Sequence, residues 1–158
     1  MKKLKKSTIV LIVLAIVCLL LSVASEKYSV SRTIKAIDEI GEMRLDNGSM
    51  ERFEQAADYY MALDPNRNLE EKVSNRLAYR EAKLNYARIL IKSAVLADKK
   101  QDGAAEAVAA ARTAVDTYFT EDEVWDIENY QDLVDLESAY NSDGSGSGGD
   151  SGEAPPMC

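Results

Sequence analysis

Val73-Ser-Asn-Arg-Leu-Ala-Tyr-Arg-Glu-Ala-Lys-Leu-Asn-Tyr86 is echoed 54 residues later by Ile127-Glu-Asn-Tyr-Gln-Asp-Leu-Val-Asp-Leu-Glu-Ser-Ala-Tyr140. Val73 falls on Ile127, Asn75 on Asn129, Tyr79 on Leu133, Ala82 on Leu136 and Tyr86 on Tyr140. The same shift sets Ile37 on Ile91, Ala56-Ala57 on Ala110-Ala111 and Met61 on Val115. Apolar meets apolar at helical spacing, and a fixed period of this size marks a repeated helical unit. The fold class that follows is all-α. Five helices are expected between about Val30 and Tyr140, as one bundle built from tandem three-helix units, about 30–86 and 87–140, that share a long central helix.

Working outward, Val30, Ile34, Ile37 and Ile40 form a first apolar stripe that Gly41 ends. Asp46-Asn-Gly-Ser49 reads as a turn with Ser49 as N-cap. Phe53, Ala56, Ala57 and Tyr60 give a second stripe, closed before Pro65. The third helix is expected from near Leu69 to about Asp98, with Val73, Leu77, Leu84 and Ile91 on one side. Ala104, Val108, Ala111, Val115 and Tyr118 mark the fourth. Thr120-Glu-Asp-Glu123 is a capping box opening a fifth helix that buries Val124, Ile127, Leu133, Leu136 and Tyr140. No stretch alternates as a strand would.

Before these helices lies a different kind of segment. Lys2, Lys3, Lys5 and Lys6 precede an uncharged run from Ser7 to Ser25, so residues 1–25 are a signal peptide or a membrane anchor, with 26–29 as a connector. A spanning helix needs roughly 20 apolar residues, whereas signal cores run about 7–15. The run sits between those limits. Ser22-Val-Ala24 places small residues where a signal peptidase reads, which permits cleavage before Ser25, and Cys18 lacks the small residues of a lipobox. The expectation is a single-pass protein of the cell membrane, held through residues 7–25 with its C-terminal domain outside; the alternative is a secreted protein.

Four of the 19 basic residues are the leader lysines, so the rest of the chain carries 15 against 27 acids, a net charge of −12. Such a domain is repelled by nucleic acid and by anionic lipid headgroups; its acidity reads as binding to cations or basic partners, or as a solvated surface. The only cysteines are Cys18 and Cys158, so no disulfide can close within the exported part. Residues 141–158 are dominated by Gly, Ser and acids and read as a disordered tail. Cys158 at its end is an incidental thiol or a site of intermolecular pairing.

The chain has no histidine, no Gly-rich phosphate loop and no complete metal motif, so no catalytic residue, cofactor or metal ligand is expected. Asp64-x-Asn66-x-Asn68 imitates half a calcium loop, but Leu69 and Asn75 replace its Gly and Glu. Glu121, Asp122, Glu123 and Asp126 could in principle pair for glycoside chemistry. Their place at a helix start explains them equally well through the macrodipole. Trp125 and Tyr130 are candidates for an exposed interaction surface, with Cys158, or cover the edge of a core.

Ile34-Lys-Ala-Ile-Asp-Glu-Ile-Gly-Glu-Met-Arg-Leu-Asp46, Val73-Ser-Asn75, Ala111-Arg-Thr-Ala114 and Ile127 to Tyr140 resemble a helical repeat module of Gram-positive extracellular and cell-surface proteins. Arg44 stands where that module usually has Thr, and the second copy lacks the Gly and Leu-Asp opening. The resemblance implies a spacer or accessory domain with no catalytic residues to carry over. Ala56-Ala-Asp-Tyr-Tyr-Met-Ala-Leu-Asp-Pro-Asn66 also resembles the end of a tetratricopeptide repeat, but without a second copy or a 34-residue period. The expected function is a non-enzymatic, envelope-anchored helical module with a structural or interaction-mediating role, acting on a protein or envelope partner and not on nucleic acid. A tetratricopeptide-like peptide-binding module and a carboxylate-dependent hydrolase are the alternatives.

Overall fold

The computed structural model describes residues 6–45, 48–100 and 103–143. Lys2, Lys3, Lys5, the Asp46-Asn47 part of the first turn and the tail with Cys158 lie outside the described residues. The chain is all-α, with five α-helices and no strand among the described residues. It divides into two compact units between Tyr86 and Ala87.

Helix α1 runs unbroken over Lys6–Asp38. This corrects the expected connector at 26–29, which is helical and continuous with the apolar segment. Ser7 to Asp38 contains no Gly or Pro to stop a helix, and the polar residues that suggested a boundary are absorbed by it. Ser29 Oγ donates to Ser25 O and Thr33 Oγ1 to Ser29 O, each at 3.0 Å, the back-bonding open to hydroxyls inside a helix. All side chains from Val10 to Leu21 are exposed, whereas Thr33, Ala36 and Ile37 near the other end are buried.

Gly41, with φ +68°, turns the chain toward α2, Ser49–Met61. Gly48 occupies the N-cap position, in the left-handed region that glycine adopts without strain, and Ser49 is inside the helix. The expected Ser49 cap is replaced by a buried staple: Arg44 N donates to Ser49 Oγ at 2.8 Å, and Ser49 Oγ donates to Arg44 O at 2.9 Å. Phe53 is fully buried, its ring stacked on Tyr86 at 4.5 Å and on Tyr79 at 6.0 Å, with Tyr60 against Tyr79 at 4.2 Å. Unit 1 thus has an aromatic core.

Two 3-10 turns follow, Pro65–Arg67 and Leu69–Lys72, and Asp64 Oδ1 accepts from Asn66 N at 3.0 Å to cap the first. That local cap accounts for the Asp64-x-Asn66 pattern. Helix α3 begins only at Arg76 and runs to Lys100. Val73 is extended and Leu77 is 75 % exposed, so the expected Val73–Leu77 stripe is wrong. With Val73 outside the helix, the buried face shifts to Tyr79, Tyr86, Ala87, Ile91 and Ala94, while Leu84 is half-buried. The division between the units falls inside α3.

Unit 2 continues with α4, Ala104–Tyr118, a 3-10 turn at Val124–Asp126 and α5, Tyr130–Asp143. Glu123 reaches back to Thr120 N at 3.0 Å as a capping box requires, yet only one 3-10 turn follows and Ile127 is extended. The fifth helix therefore starts later than expected and ends three residues later, at Asp143. Val108, Ala111, Val115, Val124, Ile127 and Leu133 are buried, Leu136 is half-buried, and Tyr140 is 37 % exposed against expectation, its hydroxyl on Asp98 Oδ1 at 3.1 Å. This core is aliphatic and alanine-rich.

The two units share one fastening. Asn75 Nδ2 donates to Ile34 O at 2.9 Å, and Asn129 Nδ2 donates to Arg88 O at 3.3 Å. Donors and acceptors are each 54 positions apart. Val73 and Ile127, two residues before each Asn, are both extended and buried. Neither Oδ1 has a hydrogen-bond partner, the same buried omission in both units. In the second helices the buried positions coincide at 55 rather than 54: Ser49 with Ala104, Phe53 with Val108, Ala56 with Ala111. Ala110 and Met61 are exposed, so the pairings of Ala56 with Ala110 and Met61 with Val115 are corrected by one residue. The offset arises because the first helix of unit 2 runs on to Lys100, two turns beyond the position matching Asp38, before a shorter connector.

Near the start of unit 1, Glu26 is held by Arg67 at 2.6 Å and Lys72 at 3.3 Å. The bond from Lys72, with help from Arg67 and against partial desolvation, keeps the Glu26 carboxyl below the usual carboxylate range. A lowered carboxyl adds stability above its unfolded value and loses it as pH falls through the folded one. Replacing Glu26→Gln should therefore flatten the acid limb of a melting-temperature profile while leaving neutral-to-alkaline slopes unchanged, as followed by circular dichroism. Leu133→Asp, at a position of zero exposure, puts an unpaired charge in an apolar core. It should cost on the order of 4 kcal/mol or more, close to the whole stability of a small unit, measured by urea unfolding.

Candidate interaction surface

The surface around Trp125 is built by three elements of unit 2. Val124 is buried and anchors the 3-10 turn, which leaves the next residue, Trp125, facing outward at 70 % exposure. Tyr130, the first residue of α5, meets it edge-on with ring centroids 5.3 Å apart and an interplanar angle of 86°. This is the favoured geometry of two ring quadrupoles. The structure thus brings together Trp125 and Tyr130, two of the three residues singled out from sequence. Cys158 lies outside the described residues.

What holds the pair is a residue the sequence reading did not place there. Arg112, on α4, forks onto Glu137 of α5: Nε donates to Oε1 at 2.5 Å and Nη2 to Oε2. Its Nη1 donates to the Tyr130 hydroxyl at 3.4 Å and faces Asp116, one turn along α4, at 3.5 Å. The guanidinium lies 5.8 Å from the Tyr130 ring centre. The hydrogen bonds that Arg112 donates to Glu137 push its pKa still further up, against its partial burial and with a smaller contribution from Tyr130. It stays cationic at every accessible pH. A bidentate fork of this kind ties two helices together with fixed geometry, which an ammonium would not do.

At this fork opens a cleft of about 450 Å³, walled by Val115, Phe119, Val124, Trp125 and Tyr130 and edged by Arg112, Asp116 and Glu121. Its chemistry is an aromatic floor with a charged rim, in which the Arg112 guanidinium is already held by Glu137 and Asp116. Of the carboxylates weighed for hydrolysis, Glu121 edges this cleft and Glu123 is taken by Thr120. Unit 1 has Glu71 and Arg76 at the positions 54 before Trp125 and Tyr130, so the aromatic pair belongs to unit 2 alone.

Removing the fork should loosen this surface. Arg112→Leu leaves part-buried Glu137 without its partner and should destabilise the protein by about 2 kcal/mol, with Arg112→Lys restoring only part. The emission of Trp125, the sole tryptophan, should shift in Arg112→Leu and return toward the parent value in Arg112→Lys.

Comparison with protein-family models, with curated proteins and with solved structures found no match for this chain.

Proposed function

We propose that this chain is a non-enzymatic module of the cell envelope, anchored by α1 as a single membrane span, that works by presenting the surface of its exported units to a partner. The observation that carries this reading is the division of labour along α1. The helix is long and apolar enough to cross a membrane, with a mean hydropathy of 2.3 over its most apolar window, none of it buried. The same helix enters the core of unit 1 through Thr33, Ala36 and Ile37. Exposed aliphatic side chains on every face suit hydrocarbon and not water. The leader lysines keep the short end on the cytoplasmic side, so the units lie outside.

The matched Asn fastenings and the resemblance of both copies to an extracellular helical module support a tandem duplication, and such modules serve as spacers or accessory domains. The aromatic cleft in one copy only supports a partner-binding role for unit 2. Its carboxylate rim and the acidity of the exported chain favour a partner that offers basic side chains. A sequence without histidine, and with carboxylates explained by capping and ion pairs, supports presentation over catalysis.

Fractionation of cells expressing the full chain tests the anchor. The protein should stay with the membrane through a high-salt and carbonate wash and be digested by protease added outside. A soluble product in the medium that begins at Ser25 would defeat the anchor and leave export intact.

A further inference from the structure

Where α1 leaves its apolar stretch, a groove of about 410 Å³ runs along it. Val23, Val30 and Ile34 make the apolar wall, and Glu26, Lys27 and Lys72 the polar edge. Its depth follows from α1 itself. Helix rises about 1.5 Å per residue, so a hydrocarbon layer of about 30 Å that begins at Ser7 ends near Glu26. Val23 then lies in hydrocarbon, with Lys27 and Val30 at the level of the headgroups.

The 3-10 turns are pinned to α1 where its apolar stretch ends, at Ser22 and Glu26. Arg67 donates to Ser22 Oγ at 2.8 Å and pairs with Glu26, while also meeting Asp64 at 3.4 Å. Lys72 reaches Glu26 from the second turn. No linker separates the folded unit from the span. Tyr28, 69 % exposed and one residue beyond Lys27 of the groove's edge, sits at the depth where amphipathic rings favour the interface.

Charge is distributed to match. From Glu26 to Tyr86 there are 10 basic and 12 acidic residues, and from Ala87 onward 5 and 15. The repulsion expected between the acidic exported chain and anionic headgroups therefore resides mostly in the second unit. The groove's own charged edge, two lysines and one glutamate, is net positive.

We propose that this groove holds one anionic phospholipid of the surrounding bilayer, its phosphate between Lys27 and Lys72 and the start of an acyl chain along Val23 and Val30. The proposal rests on the membrane-anchor reading. It differs from loose surface attraction in having a built apolar wall continuous with the span. Anchoring and lipid capture together would fix unit 1 upright on the membrane.

The test uses the full chain in two measurements. In the first, Tyr28→Trp on a Trp125→Phe background is reconstituted in vesicles that contain lipids brominated near the headgroup or near the chain end. Headgroup-side quenching should dominate. In the second, the parent chain is taken from nanodiscs of phosphatidylcholine with phosphatidylglycerol, and retained lipid is counted by native mass spectrometry. One phosphatidylglycerol per chain is expected, its retention falling about tenfold in the Lys27→Gln, Lys72→Gln variant and recovering in Lys27→Arg, Lys72→Arg. No quenching by either lipid overturns the anchor reading and this proposal with it. Quenching with retention unaffected by the glutamine variant, or equal retention of phosphatidylcholine, overturns the lipid site alone. A second protein chain retained in place of lipid, and lost in Val30→Asp, would assign the groove to helix packing and overturn it too.

Discussion

Unit 1 is organised by one helix that is apolar on every face and exposed at one end and packed at the other. α1 keeps its hydrogen bonds internal over 33 residues, so its backbone is equally content in hydrocarbon and in a protein core. Only its side chains change. From Val10 to Leu21 they are apolar on all faces and exposed, and from Thr33 onward one face is buried against α2. Because nothing breaks the helix between these regimes, its apolar end continues directly into its packed end. A Gly or Pro at Glu26 to Ser29 would have produced a tethered domain instead.

The asparagines at 75 and 129 are the second constraint. Each gives its Nδ2 to a carbonyl of the preceding long helix and leaves its Oδ1 buried without a partner. An unpaired buried acceptor costs about 1–3 kcal/mol, so the donated bond must be worth having for position as much as for energy. It fixes where the third helix of each unit starts against the first. Around that shared fastening the cores are free to diverge. Unit 1 fills its interior with Phe53, Tyr79 and Tyr86, and unit 2 with the smaller Val108, Ala111 and Val115.

The aromatic cleft shows how a surface is made from the same parts. Trp125 is not exposed because it lacks a place in the core. Its neighbour Val124 takes that place, and the 3-10 turn directs the indole outward. Tyr130 is then held by its own helix start, by the Trp125 edge and by Arg112, whose charge Glu137 and Asp116 compensate. The cleft combines an aromatic floor with the Arg112 guanidinium and the carboxylates of Asp116 and Glu121.

The all-α class, the apolar N-terminal helix and much of the core were legible in the sequence, because each rests on local patterning of the chain. Val108, Ala111, Val115, Ile127 and Leu133 fall in the core for that reason. The boundaries were less legible: Leu69 to Asn75 and Val124 to Glu128 have helix-forming residues but are bent into 3-10 turns and extended steps by the Asn fastenings, which are contacts across 41 positions. The merging of leader and first helix could have been read from the absence of any breaker. Trp125 and Tyr130 were visible as residue types, but Arg112 was not, since its fork to Glu137 joins residues 25 positions apart. Periodicity determines which residues seek burial; only tertiary packing decides which long-range polar partners meet, and those meetings set where helices begin and which side chains are left facing outward.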